Sequence, residues 1–186
     1  RNGASAISAT PGPFYYSGAH MQAHAADGPL AALRAGPLAT ELNRVLGTSL
    51  AYQTPQLAGG MNTSAAAYAT FLQRVMSDKL IMGQHLRAAT VVTSGPGTSS
   101  PIPEPWLYGL GHWIEIDGTL SSPGAFGFYP WISADKALYG IVTRKNITGA
   151  WSSVTCGREI RKAFLATATP PAPPIPRPRP RRFVRL

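Results

Sequence analysis

The chain has 186 residues, 44% of them apolar, a mean hydropathy of −0.03 and a formal net charge of +9. That length is enough to bury one real core, and no stretch approaches the roughly 18 uninterrupted apolar residues of a membrane-spanning helix. The single cysteine, Cys156, excludes a disulfide within the chain, and the absence of a C-x-x-C pair or Cys/His cluster speaks against structural zinc. Five arginines fall in the last ten residues (Arg177, Arg179, Arg181, Arg182, Arg185), so the remainder of the chain carries only +4. The charge belongs mainly to the tail, and nucleic acid is not expected as a partner.

The first legible element is Pro11-Gly12-Pro13 followed by FYYSG, a turn leading into a helix that begins near Ala19. Asp27-Gly28-Pro29 should interrupt that helix, and a less regular helical stretch follows around Leu38 to Leu46. In LAGGMNTSAAAYATFLQRVMSDKL, Thr63 or Ser64 caps a helix whose apolar residues Tyr68, Phe71, Leu72, Val75 and Met76 recur at helical spacing. Trp106 to Ile116 is aromatic and β-branched and reads as a strand. Ala125 to Ile132, the polar connection Ser133 to Lys136, and Leu138 to Thr143 read as an antiparallel hairpin. A helix near Val154 to Leu165 closes the domain, which spans residues 1–168. From 169 to 186 proline recurs too often for helix or central strand, which predicts an extended, disordered Pro/Arg tail.

Helices, then consecutive strands, then a last helix predict an α+β domain in which helices pack on an antiparallel sheet. Three strands with an open edge make an incomplete sheet, so part of the fold is expected to be missing at the N-terminal side. The chain begins at Arg1 rather than methionine, and any leader is expected upstream of that residue.

These segments, in this order, resemble the C-terminal part of the serine β-lactamase-like hydrolases: class C β-lactamases, D-alanyl-D-alanine carboxypeptidases and related esterases. The resemblance covers most of residues 11 to 165. Pro11 to Ser17 looks like a P-G-x-x-F-x-Y-S segment one residue shorter between glycine and phenylalanine, Leu57 to Leu72 like a glycine pair before a capped helix, Tyr108 to Gly111 like a Y-G-L-G strand, and Gly124 to Trp131 like a G-x-x-G-x-x-P-W hairpin. The implied fold is part of the β-lactamase/transpeptidase architecture, with a periplasmic or secreted location. The implied activity is acyl-enzyme hydrolysis of an ester, amide or β-lactam without a cofactor.

By the same resemblance Tyr16 is the catalytic tyrosine that shuttles a proton between the serine and the lysine of an S-x-x-K motif. Gly18 stands where many members have a substrate-binding asparagine. Ser122-Pro123-Gly124 stands where K-T-G or H-x-G is usual, and the N–H of Ala125 is the implied oxyanion donor, a role that needs no particular side chain. Because Ser122 replaces a cation, the substrate class shifts towards small neutral esters or amides.

Ser133-Ala134-Asp135-Lys136 spells S-x-x-K. It follows Pro130-Trp131-Ile132 and precedes another strand, so it lies in a hairpin connection, whereas the chemistry needs both residues on one helix face. The true nucleophile is expected before Arg1. His20 and His24 lie four apart, but no third ligand accompanies them, and no metal is expected. Gly109-Leu110-Gly111 lacks the third glycine and the strand-turn-helix setting of a dinucleotide site. The alternative function is a non-catalytic module on the same scaffold that holds cell-wall peptide or an acidic partner.

Overall fold

A computed structural model of the chain describes residues 12–18, 21–23, 33, 35–145 and 149–168. Residues 169–186, His20 and His24 lie outside the described residues, as does the start of the helix expected near Ala19, of which 21–23 are helical.

The architecture is α+β. Helix α1 (Ala35–Leu46) accepts Pro37 because a first-turn residue has no intrahelical N–H bond to lose. It stops at Gly47, whose φ of 62° continues into a turn. Asn43 fixes that turn: its amide donates to the Leu50 carbonyl at 2.8 Å and its oxygen accepts from the Leu50 N–H at 2.6 Å. A two-stranded ribbon follows, β1 (Ala51–Tyr52) antiparallel to β2 (Met61–Asn62). Helix α2 (Ala65–Met76) starts where predicted, with the Ser64 hydroxyl accepting from the Ala67 N–H at 3.1 Å. A short helix α3 (Ile81–Gln84) leads towards the sheet.

The sheet is a six-stranded antiparallel meander of β3 (Val91–Val92), β4 (Leu107–Tyr108), β5 (Trp113–Ile114), β6 (Leu120–Ser121), β7 (Tyr129–Ile132) and β8 (Tyr139–Val142), each paired with the next. It is larger than the three strands read from the sequence, because β3 and β6 are two residues long and too short to display a period of two. The single strand expected over Trp106 to Ile116 is two strands. The Gly109 N–H donates to the His112 carbonyl at 2.9 Å and Gly111 takes φ 84°, a value that suits glycine, so the chain reverses inside Y-G-L-G. The hairpin of β7 and β8 forms, in the register Tyr129↔Val142 and Trp131↔Gly140, but its first strand begins at Tyr129 rather than Ala125, because the chain turns at Gly124 to Gly127.

Side chains alternate between the two faces of the sheet. One face carries Tyr108, Trp113, Tyr129 and Trp131, covered by helix α4 (Ala150–Ala168) through Val154 and Leu165. The other carries Ile114, Leu120 and Ile132, covered by Leu72 and Val75 of α2 and by Leu86. Two glycines make the aromatic face possible. A Cβ on Gly140 would lie 2.6 Å from the Trp131 indole, and one on Gly157, inside α4, would enter the Tyr129 ring. No helix among the described residues is long and apolar enough to cross a membrane.

Candidate functional site

Tyr16 lies in an extended segment hydrogen-bonded on both sides of Tyr15 to Ser99: the Tyr16 N–H donates to the Ser99 carbonyl and the Ser99 N–H to the Phe14 carbonyl, each at 2.8 Å. Its ring packs on Trp113 (5.3 Å between centroids) and edge-on to Tyr108 (5.8 Å), yet 43% of the residue stays exposed. The chain then turns into helix, with the Gln22 N–H donating to the Gly18 carbonyl at 3.0 Å. The Gln22 side chain ties this turn to the loop before β2, accepting from the Leu57 N–H at 3.2 Å and donating to the Pro55 carbonyl at 3.1 Å. Burial pushes the Tyr16 phenol above its ordinary value, and among the described residues no cation acts in the opposite direction. The phenol therefore holds its proton through neutral pH.

Ser122, Gly124 and Ala125 follow β6 into the turn that leads to β7. The Ser122 N–H donates to the Pro130 carbonyl at 3.2 Å, and the Gly124 N–H to the Phe128 carbonyl at 2.7 Å. Ala125 and Phe126 form the exposed tip, closed by the Gly127 N–H donating to the Gly124 carbonyl at 3.3 Å. The start of α4 holds the tip in place: the Ser153 hydroxyl donates to the Gly124 carbonyl at 2.7 Å and the Gly149 N–H to the Ala125 carbonyl at 3.2 Å. Trp113, on which Tyr16 packs, pairs across the sheet with Ser121, the residue before Ser122. The two predicted site segments, far apart in sequence, thus adjoin neighbouring strands: Tyr16 packs on β5, and the Ser122 to Ala125 turn follows β6. Among the described residues the buried Ser121 hydroxyl has no hydrogen-bond partner.

Ser133 and Lys136 lie in the connection between β7 and β8, on no helix. The Ser133 hydroxyl donates to Asp135 Oδ1 at 2.6 Å and accepts from the Leu138 N–H at 2.9 Å. Lys136 takes φ 60° and sends its ammonium to Asp78 Oδ1 at 2.7 Å. The two side chains serve different partners and form no Ser–Lys pair.

A buried ionic network, unread in the sequence, joins α4 to the sheet. The Glu115 side chain has no exposed surface; it accepts from the Tyr129 hydroxyl (2.6 Å), Arg158 Nε (3.0 Å) and an Arg161 amino group (3.2 Å). Arg158 also grips Glu104 with two bonds of 2.8 Å, and Arg161 reaches Asp117 at 2.9 Å. The Arg158 hydrogen bond holds the Glu104 carboxyl below its ordinary range. Both guanidinium groups lie against indoles, Arg158 at 4.9 Å from the Trp106 ring and Arg161 at 5.8 Å from that of Trp131. The sequence carried a signal: a lone acid inside the apolar run WIEI, and two arginines three apart on the closing helix.

On the opposite face, between α2 and β6 to β7, lies a cavity of about 220 Å³ with Ser122 among its lining residues. Among the described residues no group of three or more His, Cys, Asp or Glu could hold a metal ion. Compared with known proteins, the chain matches no family model, no curated protein and no solved structure.

Proposed function

We propose that this chain is the C-terminal part of a serine hydrolase of the β-lactamase and penicillin-binding-protein type, acting on a small neutral ester or amide. A serine outside residues 1–186 attacks the substrate carbonyl. The Ala125 N–H donates to the oxyanion, and Tyr16 passes the serine proton to the departing alcohol or amine; water then releases the acyl group from the serine. The observation that supports this reading is that Tyr16 packs on Trp113 of β5, whose strand partner Ser121 ends β6 just before the Ser122 to Ala125 turn. The helices on both faces of an antiparallel sheet are compatible with a transpeptidase-like fold, and α4 anchors the turn that bears Ala125.

Tyr16 also limits what the chain does by itself. Its phenol is shifted upward and meets no opposing cation among the described residues, so proton transfer requires a lysine brought by the missing S-x-x-K segment. The isolated chain is therefore inactive. Protein produced with the coding sequence upstream of Arg1 should hydrolyse p-nitrophenyl acetate, and Tyr16→Phe should lower its kcat by about two orders of magnitude or more with little change in KM. Full activity in Tyr16→Phe, or a penicillin cleaved much faster than the neutral ester, would sink the assignment.

A second reading, a non-catalytic module that binds cell-wall peptide or an acidic partner, draws on the same phenol and on Gly18, which offers no side-chain amide. Upstream-extended protein that binds such a ligand and turns over no ester would favour it.

A further inference from the structure

The cavity on the second face has a composition that selects its occupant. Tyr68, Phe71 and Leu72 of α2 form one wall, and Leu86, Leu120 and Ile132 form much of the other. No Asp, Glu, Lys or Arg lines it. His112, which also lines it, is 3% exposed and already donates through Nε2 to the Leu86 carbonyl at 2.6 Å. An ionised group entering here would lose its hydration without gaining a counter-charge, whereas an apolar group exchanges water for close contacts. Apolar cavities of about 150 Å³ accept benzene, so 220 Å³ accommodates one aromatic ring or a short alkyl chain.

The cavity is also accessible, and Ser122 links it along the chain to the turn that bears Ala125. Leu110, which lines it, is 56% exposed, so the space opens to solvent there. Ser122, half-buried, lines it too and lies three residues before Ala125.

We propose that this cavity binds the neutral apolar acyl group of the substrate, a single aromatic ring or a short alkyl chain. The word acyl rests on the serine-hydrolase reading; the affinity for a neutral apolar group does not. The test titrates the 186-residue chain with toluene and with benzoate by ligand-observed NMR. Toluene should bind with a Kd near or below about 1 mM, and benzoate about tenfold more weakly or worse. Leu110→Trp, a change at the exposed mouth, should weaken toluene about tenfold, and Leu120→Phe, which fills the interior, should do the same. Equal binding of toluene and benzoate, or toluene binding indifferent to both substitutions, would overturn the proposal.

The upstream-extended protein supplies the second arm. Its kcat/KM for p-nitrophenyl hexanoate should exceed that for the acetate by about tenfold or more, and Leu110→Trp should remove that ratio. Hydrolysis of both esters without preference would overturn the acyl assignment and leave the hydrolase reading intact. Toluene binding that responds to both variants, in a protein that hydrolyses no ester, would uphold the apolar site and overturn the hydrolase reading.

Discussion

Glu115→Gln tests how the closing helix is held on the sheet. The wild-type carboxylate is wholly enclosed and accepts three hydrogen bonds, two of them from guanidinium groups. Removing one member of a buried ion pair costs about 3–5 kcal/mol, because the remaining charge stays buried without its partner. Here both arginines keep a second acid, Glu104 for Arg158 and Asp117 for Arg161, and those acids are partly exposed. The loss should therefore fall at the lower end, about 3 kcal/mol, a large share of an ordinary domain stability of about 5–15 kcal/mol. Urea unfolding at pH 7, followed by the near-ultraviolet signal of the tryptophans beside the network, measures it. Glu115→Leu combined with Arg161→Met should recover much of the loss, since that pair buries fewer unpaired charges. A Glu115→Gln midpoint equivalent to less than about 0.5 kcal/mol from wild type would refute the reasoning.

Gly157→Ala should destabilise by about 2 kcal/mol despite the better helix former, because the new methyl meets the Tyr129 ring, which its bonds to Glu115 and Arg161 hold in place; a gain in Tm would contradict the packing described. Ser121→Ala should leave stability unchanged or raise it by about 1 kcal/mol, since it removes a buried hydroxyl with no partner. A loss of comparable size would show that the hydroxyl makes a bond. Burial raises the Tyr68 phenol from 10.0 to about 12, and Tyr16, Tyr52, Tyr108 and Tyr129 shift the same way. The stability these groups confer is fully present below pH 10 and is lost as pH rises through about 12, because the unfolded chain releases its protons first. A Tm constant from pH 9 to 12 would count against that, and Tyr68→Phe should flatten part of the decline.

Elements with a complete local signal were legible in the sequence. Ser64 supplies a cap and Tyr68, Phe71, Leu72 and Val75 a helical period, so the start of α2 was placed to within a residue. β7 and β8 are four residues each, apolar and rich in aromatic and β-branched residues, and the connection between them is polar. By contrast β3 and β6 have two residues, and no period can be read from two points. The turn at Gly109 to Gly111 was hidden by the aromatic and β-branched residues around it, whose strand preference is real on both sides of the reversal. The Glu115 network was invisible for another reason. Arg158 lies 43 residues from Glu115, and only the packing of α4 across the sheet makes them partners. Of the site, the turn setting of Ser133 and the approach of Tyr16 to a helical turn were foreseen, but the contact of Tyr16 with Trp113 required the folded sheet.

The proposed serine hydrolase requires a nucleophile outside these residues, which Tyr16 and Ala125 would serve. A fluorophosphonate reacted with protein produced from the coding sequence upstream of Arg1, followed by peptide mapping, reads that directly. The account predicts a single adduct, on a serine of an S-x-x-K motif preceding Arg1, and none on the 186-residue chain alone. An adduct on Ser121, Ser122, Ser133 or any other serine within residues 1–186, or no adduct at all, would contradict it.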